Sequence, residues 1–320
     1  MLGVMLRGAS PGAAGSFRTR EALDDCVYML MSNGNRPYGK HFDDLQIWEN
    51  SHRRRKPFTH IWPMRIPGHV LPRLRTLGLY GLDWTATRPH YLFFHFLSYY
   101  TSITVLSVGL CRFRSMAELR RICNALPSLE QLSLSDITVQ HPLMPDLTSR
   151  HIPWSRNKLK TIELTIVASI FEPVAHLHEH CQSLLDMCIT YSYVTMLTLD
   201  LRYFSSFSHL HQFLCHFPHL SRLSLHEAFG SHVEPASVAD IALYTAHASN
   251  PSLSFFQLYH VPGSWASQIL LPRVVHVRIL GHALRRFFVS QELHSRRSSA
   301  ILLMEAQSAI SYRDLQQTHH

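Results

Sequence analysis

The stretch SITVLSVGLCRFRSMAELRRICNALPSLEQLSLSDI, residues 102–137, decides the fold. It contains the same spacing twice, apolar-x-x-apolar-x-apolar, at Ile103-Leu106-Val108 and at Leu129-Leu132-Leu134. Between the two lies a helical signature. Ser115 is an N-cap residue with Glu118 three positions on, as in a capping box. Leu119, Ile122, Cys123 and Leu126 follow on one face at helical spacing, and Pro127 stops the run. The second and third apolar residues of each spacing are two apart. In a strand they share a face, while the residues beside them point the other way.

Working outward, the spacing recurs at Leu74-Leu77-Leu79, Leu159-Ile162-Leu164, Val194-Leu197-Leu199, Leu220-Leu223-Leu225, Leu253-Phe256-Leu258 and Val274-Val277-Ile279. Pro72, Pro127, Pro218, Pro251 and Pro272 lead five of the copies. A proline cannot donate to a ladder, so it is expected just before each strand. Successive copies start 21 to 35 residues apart. A period of that length is the signature of a repeat architecture, and this spacing is that of leucine-rich repeats. One short strand with a single apolar face cannot bury it alone, and stacking the copies into a parallel sheet does. Parallel strands need crossovers of a dozen or more residues. The best helical candidates for them are Ser115 to Leu126 and Ser205 to Phe217, with weaker ones at Ile170 to Cys181 and Ser237 to Ala248.

The expected fold is therefore α/β: a leucine-rich-repeat solenoid, or horseshoe, with a parallel sheet on its concave face and helices on its convex face. Residues 61–282 form the irregular repeats. Residues 1–60 read as a poorly defined, partly flexible N-terminal region with one helix over residues 21–33. Residues 283–320 read as a C-terminal helical cap and tail.

The chain has 320 residues, 46% of them hydrophobic and 16% charged, which is the balance of a folded protein. Its formal charge is +8. Its six cysteines form no C-x-x-C pair and no disulfide framework. They point to a reducing compartment, cytoplasmic or nuclear. No apolar run is long enough for a bilayer, so no membrane partner is expected. The first twenty residues hold Arg7, Arg18 and Arg20 and no acid, as transit peptides do, but Pro11-Gly12 breaks the amphipathic pattern.

The stretches 71–84, 102–137 and 217–229 resemble the leucine-rich-repeat region of F-box proteins, above all the divergent F-box-like proteins of mushroom-forming fungi. The resemblance implies the substrate-recognition part of a ubiquitin-ligase receptor. It also implies an N-terminal contact with a Skp-type adaptor of a cullin ligase. The Leu-Pro opening of an F-box is not found in residues 1–60. The resemblance aside, a solenoid of this kind is a non-catalytic scaffold that binds a protein on its concave face.

If the alternation holds, that face carries Tyr80, Ser107, Gln131, Ser133, Glu163, Asp200, Arg222, His226, Gln257, Tyr259 and Arg278. Tyrosine and arginine are typical anchors, which favours Tyr80, Arg222, Tyr259 and Arg278. The run Arg53-Arg54-Arg55-Lys56 is a basic patch. With the net charge it keeps open a second reading, a nuclear or nucleic-acid-associated basic repeat protein, although a nucleic-acid partner is the less expected one. A third is a partial gene product without the ligase-docking module. The cluster His176-x-His178-x-His180-Cys181 lacks a further ligand pair, so no metal is expected. No nucleophile elbow, phosphate loop, dinucleotide fingerprint or H-E-x-x-H occurs, so neither an enzyme nor a cofactor is expected.

Overall fold

A computed structural model of the chain describes residues 13–32, 36–49, 57–141, 159–166, 177–226, 255–259 and 276–280. The strands are β1 (Ala13–Phe17), β2 (Phe42–Trp48), β3 (Thr76–Tyr80), β4 (Val105–Gly109), β5 (Arg112–Phe113), β6 (Gln131–Ser135), β7 (Thr138–Val139), β8 (Thr161–Thr165), β9 (Met196–Asp200), β10 (Arg222–His226), β11 (Phe255–Tyr259) and β12 (His276–Leu280). Ten of them form one sheet in the order β1-β2-β3-β4-β6-β8-β9-β10-β11-β12. Every pairing in it is parallel. Its strands lie side by side in the order in which the chain makes them. β5 and β7 pair separately, just beyond β4 and β6.

Each of the eight apolar spacings supplies one strand, and all share one register. Leu77, Leu106, Leu132, Ile162, Leu197 and Leu223 pair in a continuous row, as do Leu79, Val108, Leu134, Leu164, Leu199 and Leu225. All twelve are buried. Each contributes on the order of 1.5–3 kcal/mol by leaving water. That is why the register is fixed: a slip of one residue would turn every one of them outward.

The copies are also joined at their entrances. The Arg75 carbonyl accepts from the Thr104 and Val105 N–H groups. Thr104, Glu130, Lys160 and Thr195 repeat this toward the next copy. Before each strand, the first apolar residue closes a turn onto the carbonyl three residues back: Leu74 on Leu71, Ile103 on Tyr100, Leu129 on Leu126, Val194 on Tyr191 and Leu220 on Phe217. Pro72, Pro127 and Pro218 occupy the second position of that turn, where their fixed φ is an advantage. This corrects the expected reason for the prolines. Pro72 stands four residues ahead of Thr76 and belongs to the turn, not to the start of the strand.

The helices are α1 (Arg20–Met31), α2 (Trp62–Arg65), α3 (Phe93–Leu97), α4 (Met116–Ala125), α5 (Leu177–Cys188) and α6 (Phe207–Leu214). Helices α1 to α5 neighbour one another in chain order. Their buried residues, such as Leu23, Phe93, Leu119 and Leu185, join the inward strand rows in one core. α4 matches the helix expected from Ser115. Its cap differs in detail: the Ser115 hydroxyl makes no cap bond, and the Glu118 carboxylate accepts from the Arg114 N–H at 2.9 Å instead. α5 ends at Cys188, seven residues past the expected stop. Leu184, Leu185 and Met187 supply the buried face that carries it on.

The N-terminal region is the larger correction. The sheet does not begin near residue 61, and the chain is not irregular up to residue 20. β1 and β2 extend the sheet by two strands. The spacing that produces β2 is the same as in the other copies, at Phe42-Leu45-Ile47, with all three buried. An aromatic first residue and the pair Asp43-Asp44 disguise it. α1 lies between these strands, capped by the Thr19 hydroxyl on the Ala22 N–H at 3.1 Å. The expected helices at Ser237 to Ala248 and near the C-terminus lie outside the described residues.

Candidate partner-binding face

The strand residues opposite the core form three outward rows. Asp44, Thr76, Val105, Gln131, Thr161, Met196 and Arg222 make the first. Gln46, Gly78, Ser107, Ser133, Glu163, Thr198 and Ser224 make the second. The third begins Trp48, Tyr80, Gly109, Ser135 and Thr165, and His226 lies on it beside Asp200. In the backbone register Gln257 and Arg278 continue the second row, and Tyr259 continues the third. Gln131 and Arg222 are exposed, and Ser107, Ser133, Glu163 and His226 are half-buried.

One predicted contact is not on this surface. Asp200 is buried, at 4% exposure. Its carboxylate accepts from the Arg202 backbone N–H at 3.0 Å and from the Arg202 guanidinium at 3.0 and 2.7 Å. The same guanidinium donates to the Ile166 carbonyl, and the Tyr203 hydroxyl donates to the Thr165 carbonyl at 3.1 Å. Asp200 is thus the core of a bracket that ties the end of β9 to the end of β8. The alternation places it outward, but the chain turns at that residue into a 3-10 turn, Leu201–Tyr203.

Tyr80 is where the surface is most built. Its ring occupies the space above Gly78 and Gly109: a Cβ on Gly78 would stand 2.6 Å from Tyr80 Cε2, and one on Gly109 2.9 Å from Tyr80 Cδ1. The ring stacks on Trp48, centroids 4.2 Å apart and planes 20° from parallel. Burial pushes the Tyr80 hydroxyl above its usual range, while a hydrogen bond with Ser107 pulls it back. Arg18 lies over Trp48, its guanidinium carbon 5.6 Å from the ring centre. Arg18, Asp44, Gln46 and Trp48 were not among the residues expected here, because they lie in β2 or just after β1, strands that the repeat spacing had not been taken to include. The third row at β2, read from Phe42-Leu45-Ile47, would have named Trp48.

After the strands the chain bends at equivalent positions, Gly81, Leu110 and Asp136, all at positive φ (69°, 55° and 50°). Beyond the bend Cys111 is buried, and its thiol donates to the Gly109 carbonyl at 3.1 Å and to the Leu79 carbonyl at 3.5 Å. Burial raises the thiols of Cys26, Cys111, Cys123 and Cys181 to about 12, so they are held as inert protonated groups. No three His, Cys, Asp or Glu side chains among the described residues could hold a metal ion. His176 lies outside them, as do Arg53, Arg54, Arg55 and Lys56. On the helix side a cleft between Pro67, His69, Pro72, Phe96 and Tyr99 carries one imidazole and no carboxylate. No helix among the described residues is long and apolar enough to cross a membrane.

No protein-family model matches the chain. No curated protein matches it. What the face can do is therefore argued from its own geometry. It offers hydroxyls and amides along its rows, single charges at Asp44, Glu163 and Arg222, and a stacked aromatic pair at one end, on a rigid backbone.

Proposed function

We propose that the chain is a leucine-rich-repeat solenoid whose open sheet face holds a protein partner. The observation that carries this is the sheet itself: strands in chain order, all parallel, in one register, with two unbroken rows of residues on the side away from the helices and a third interrupted at Asp200. Such a surface is preorganised, so little ordering cost falls on binding. Strands supply main-chain rigidity, and the rows supply a choice of side chain at each position. In the sharper form of the proposal, drawn from the resemblance to fungal F-box-like proteins, the partner is a substrate delivered to a ubiquitin ligase. The adaptor contact then falls on the N-terminal region. There α1 presents Tyr28 and Met31 to solvent, 79% and 47% exposed.

The test uses the full-length protein, because β1 and β2 belong to the sheet. It is immobilised and offered a purified Skp-type adaptor, and separately a cell lysate, beside a Ser133→Arg/Glu163→Arg variant. Adaptor binding, with lysate proteins that the variant loses, supports the full proposal. Lysate proteins lost by the variant without adaptor binding restrict it to a scaffold. Retention unchanged in the variant rejects the face. Binding of nucleic acid that falls steeply with salt supports the basic alternative instead.

A further inference from the structure

Arg18, Trp48 and Tyr80 form one stack across the first three strands. β1 and β3 flank β2 on opposite sides, so Arg18 and Tyr80 take opposite faces of the Trp48 indole. The stack is set before any partner arrives: Tyr80 is seated on two glycines, Trp48 on Tyr80, and Arg18 on Trp48. Arg18 is exposed, and no carboxylate among the described residues pairs with it. Its planar fork of five N–H donors is therefore held in place and open.

A guanidinium so presented matches a carboxylate, which it can bind through two parallel hydrogen bonds. The net charge of +8 attracts acidic partners from a distance. A nucleic-acid strand suits the site less well. Base stacking needs a free aromatic face, and both faces of Trp48 are covered. Trp48 and Tyr80 are only half-buried, so the pair still has surface for an aliphatic or aromatic side chain.

We infer that this end of the open face holds an acidic peptide segment: a carboxylate side chain on Arg18, with an adjacent apolar side chain against Trp48 and Tyr80. The inference rests on the reading of this face as a protein-binding surface and names the chemistry of its partner.

The experiment selects random 12-residue peptides from a displayed library on the full-length protein. The enriched sequences are synthesised and titrated against the wild type, Arg18→Gln, Trp48→Leu and Arg65→Gln, with a 12-residue uridylate strand as a competing probe. Arg65 sits in α2 on the helix side, paired with Asp24, so its variant controls for a lost charge. Circular dichroism confirms that each variant is folded; Arg18 is exposed, and its replacement leaves the core intact. The expected result is enrichment in Asp and Glu, with affinity lowered at least ~10-fold by Arg18→Gln and by Trp48→Leu and unchanged by Arg65→Gln. Enriched peptides without acidic bias, or binding indifferent to Arg18→Gln, overturn the inference and leave the protein-binding reading standing. Binding of the uridylate strand with no peptide enriched overturns both, and no enrichment with no strand bound overturns the inference.

Discussion

Single residues carry different duties here, and the chemistry of each is separable. Asp200 is buried with its full set of acceptors engaged by Arg202. Removing it leaves a guanidinium only 19% exposed without its counter-charge. Asp200→Ala is expected to lower stability by about 3 kcal/mol, read from urea unfolding, because a broken buried pair costs more than it was worth when made. A loss under about 1 kcal/mol would mean that the bracket is ornamental. His60 gives the pH response. Burial, then Arg20 and His90, hold its pKa below 6.5. A lowered pKa means that protonation favours the unfolded chain. The stability tied to His60 is present above pH 6.5 and is lost as pH falls through the depressed folded value. His60→Phe is therefore expected to lose less stability between pH 7.5 and 5.5 than the wild type does, and an equal or larger loss would refute the assignment. At this scale the sequence was legible wherever alternation ruled, as for Gln131, Ser133 and Glu163. It misled at Asp200, because alternation carries no information about where a strand ends in a turn that folds a charge inward.

At the scale of the element, the turn before each strand and the bend after it do as much as the strands. Tyr191-Ser192-Tyr193-Val194 closes the same turn as Leu126-Pro127-Ser128-Leu129 without a proline. Ser192→Pro is expected to stabilise by about 0.4–1 kcal/mol by restricting the unfolded chain. A drop in the thermal midpoint would show that the two turns differ. Leu110 stands at φ 55° with its side chain 54% exposed. A leucine strains there and gains little burial, so Leu110→Gly is expected to raise stability by about 0.5–1 kcal/mol. A loss would mean that the Leu110 side chain makes a contact that offsets its backbone. The eight strands of the large sheet from β3 onward could be read from the sequence because two apolar positions per copy repeat without exception. β2 could not be read as easily. Its spacing is identical, but Phe42 stands where the other copies carry Leu, Ile or Val, and Asp43-Asp44 stands where none of them carries two acids. β1, where Gly15 and Phe17 are buried, does not carry the apolar spacing of the other copies.

For the whole molecule, the sheet is an open surface whose two ends differ. The β1 to β3 end carries the stack of Arg18, Trp48 and Tyr80, with Asp44 on its first row. The middle is polar and low, with Ser107, Ser133, Thr198 and Ser224, and charge returns at Glu163 and Arg222. An order of this kind suits an extended partner lying across the strands, read row by row, and the helix layer stands behind as support. The measurement that tests this most directly places a photo-crosslinking amino acid at Gln131, exposed at the centre of the open face, or at Gln182, exposed on α5 in the helix layer. Each full-length protein is irradiated in a native lysate, and the adducts are identified by mass spectrometry. The account predicts a defined protein adduct at Gln131 that is lost with Ser133→Arg/Glu163→Arg, and none at Gln182. A defined adduct at Gln182 with none at Gln131 would contradict it, and would move the binding surface to the helices.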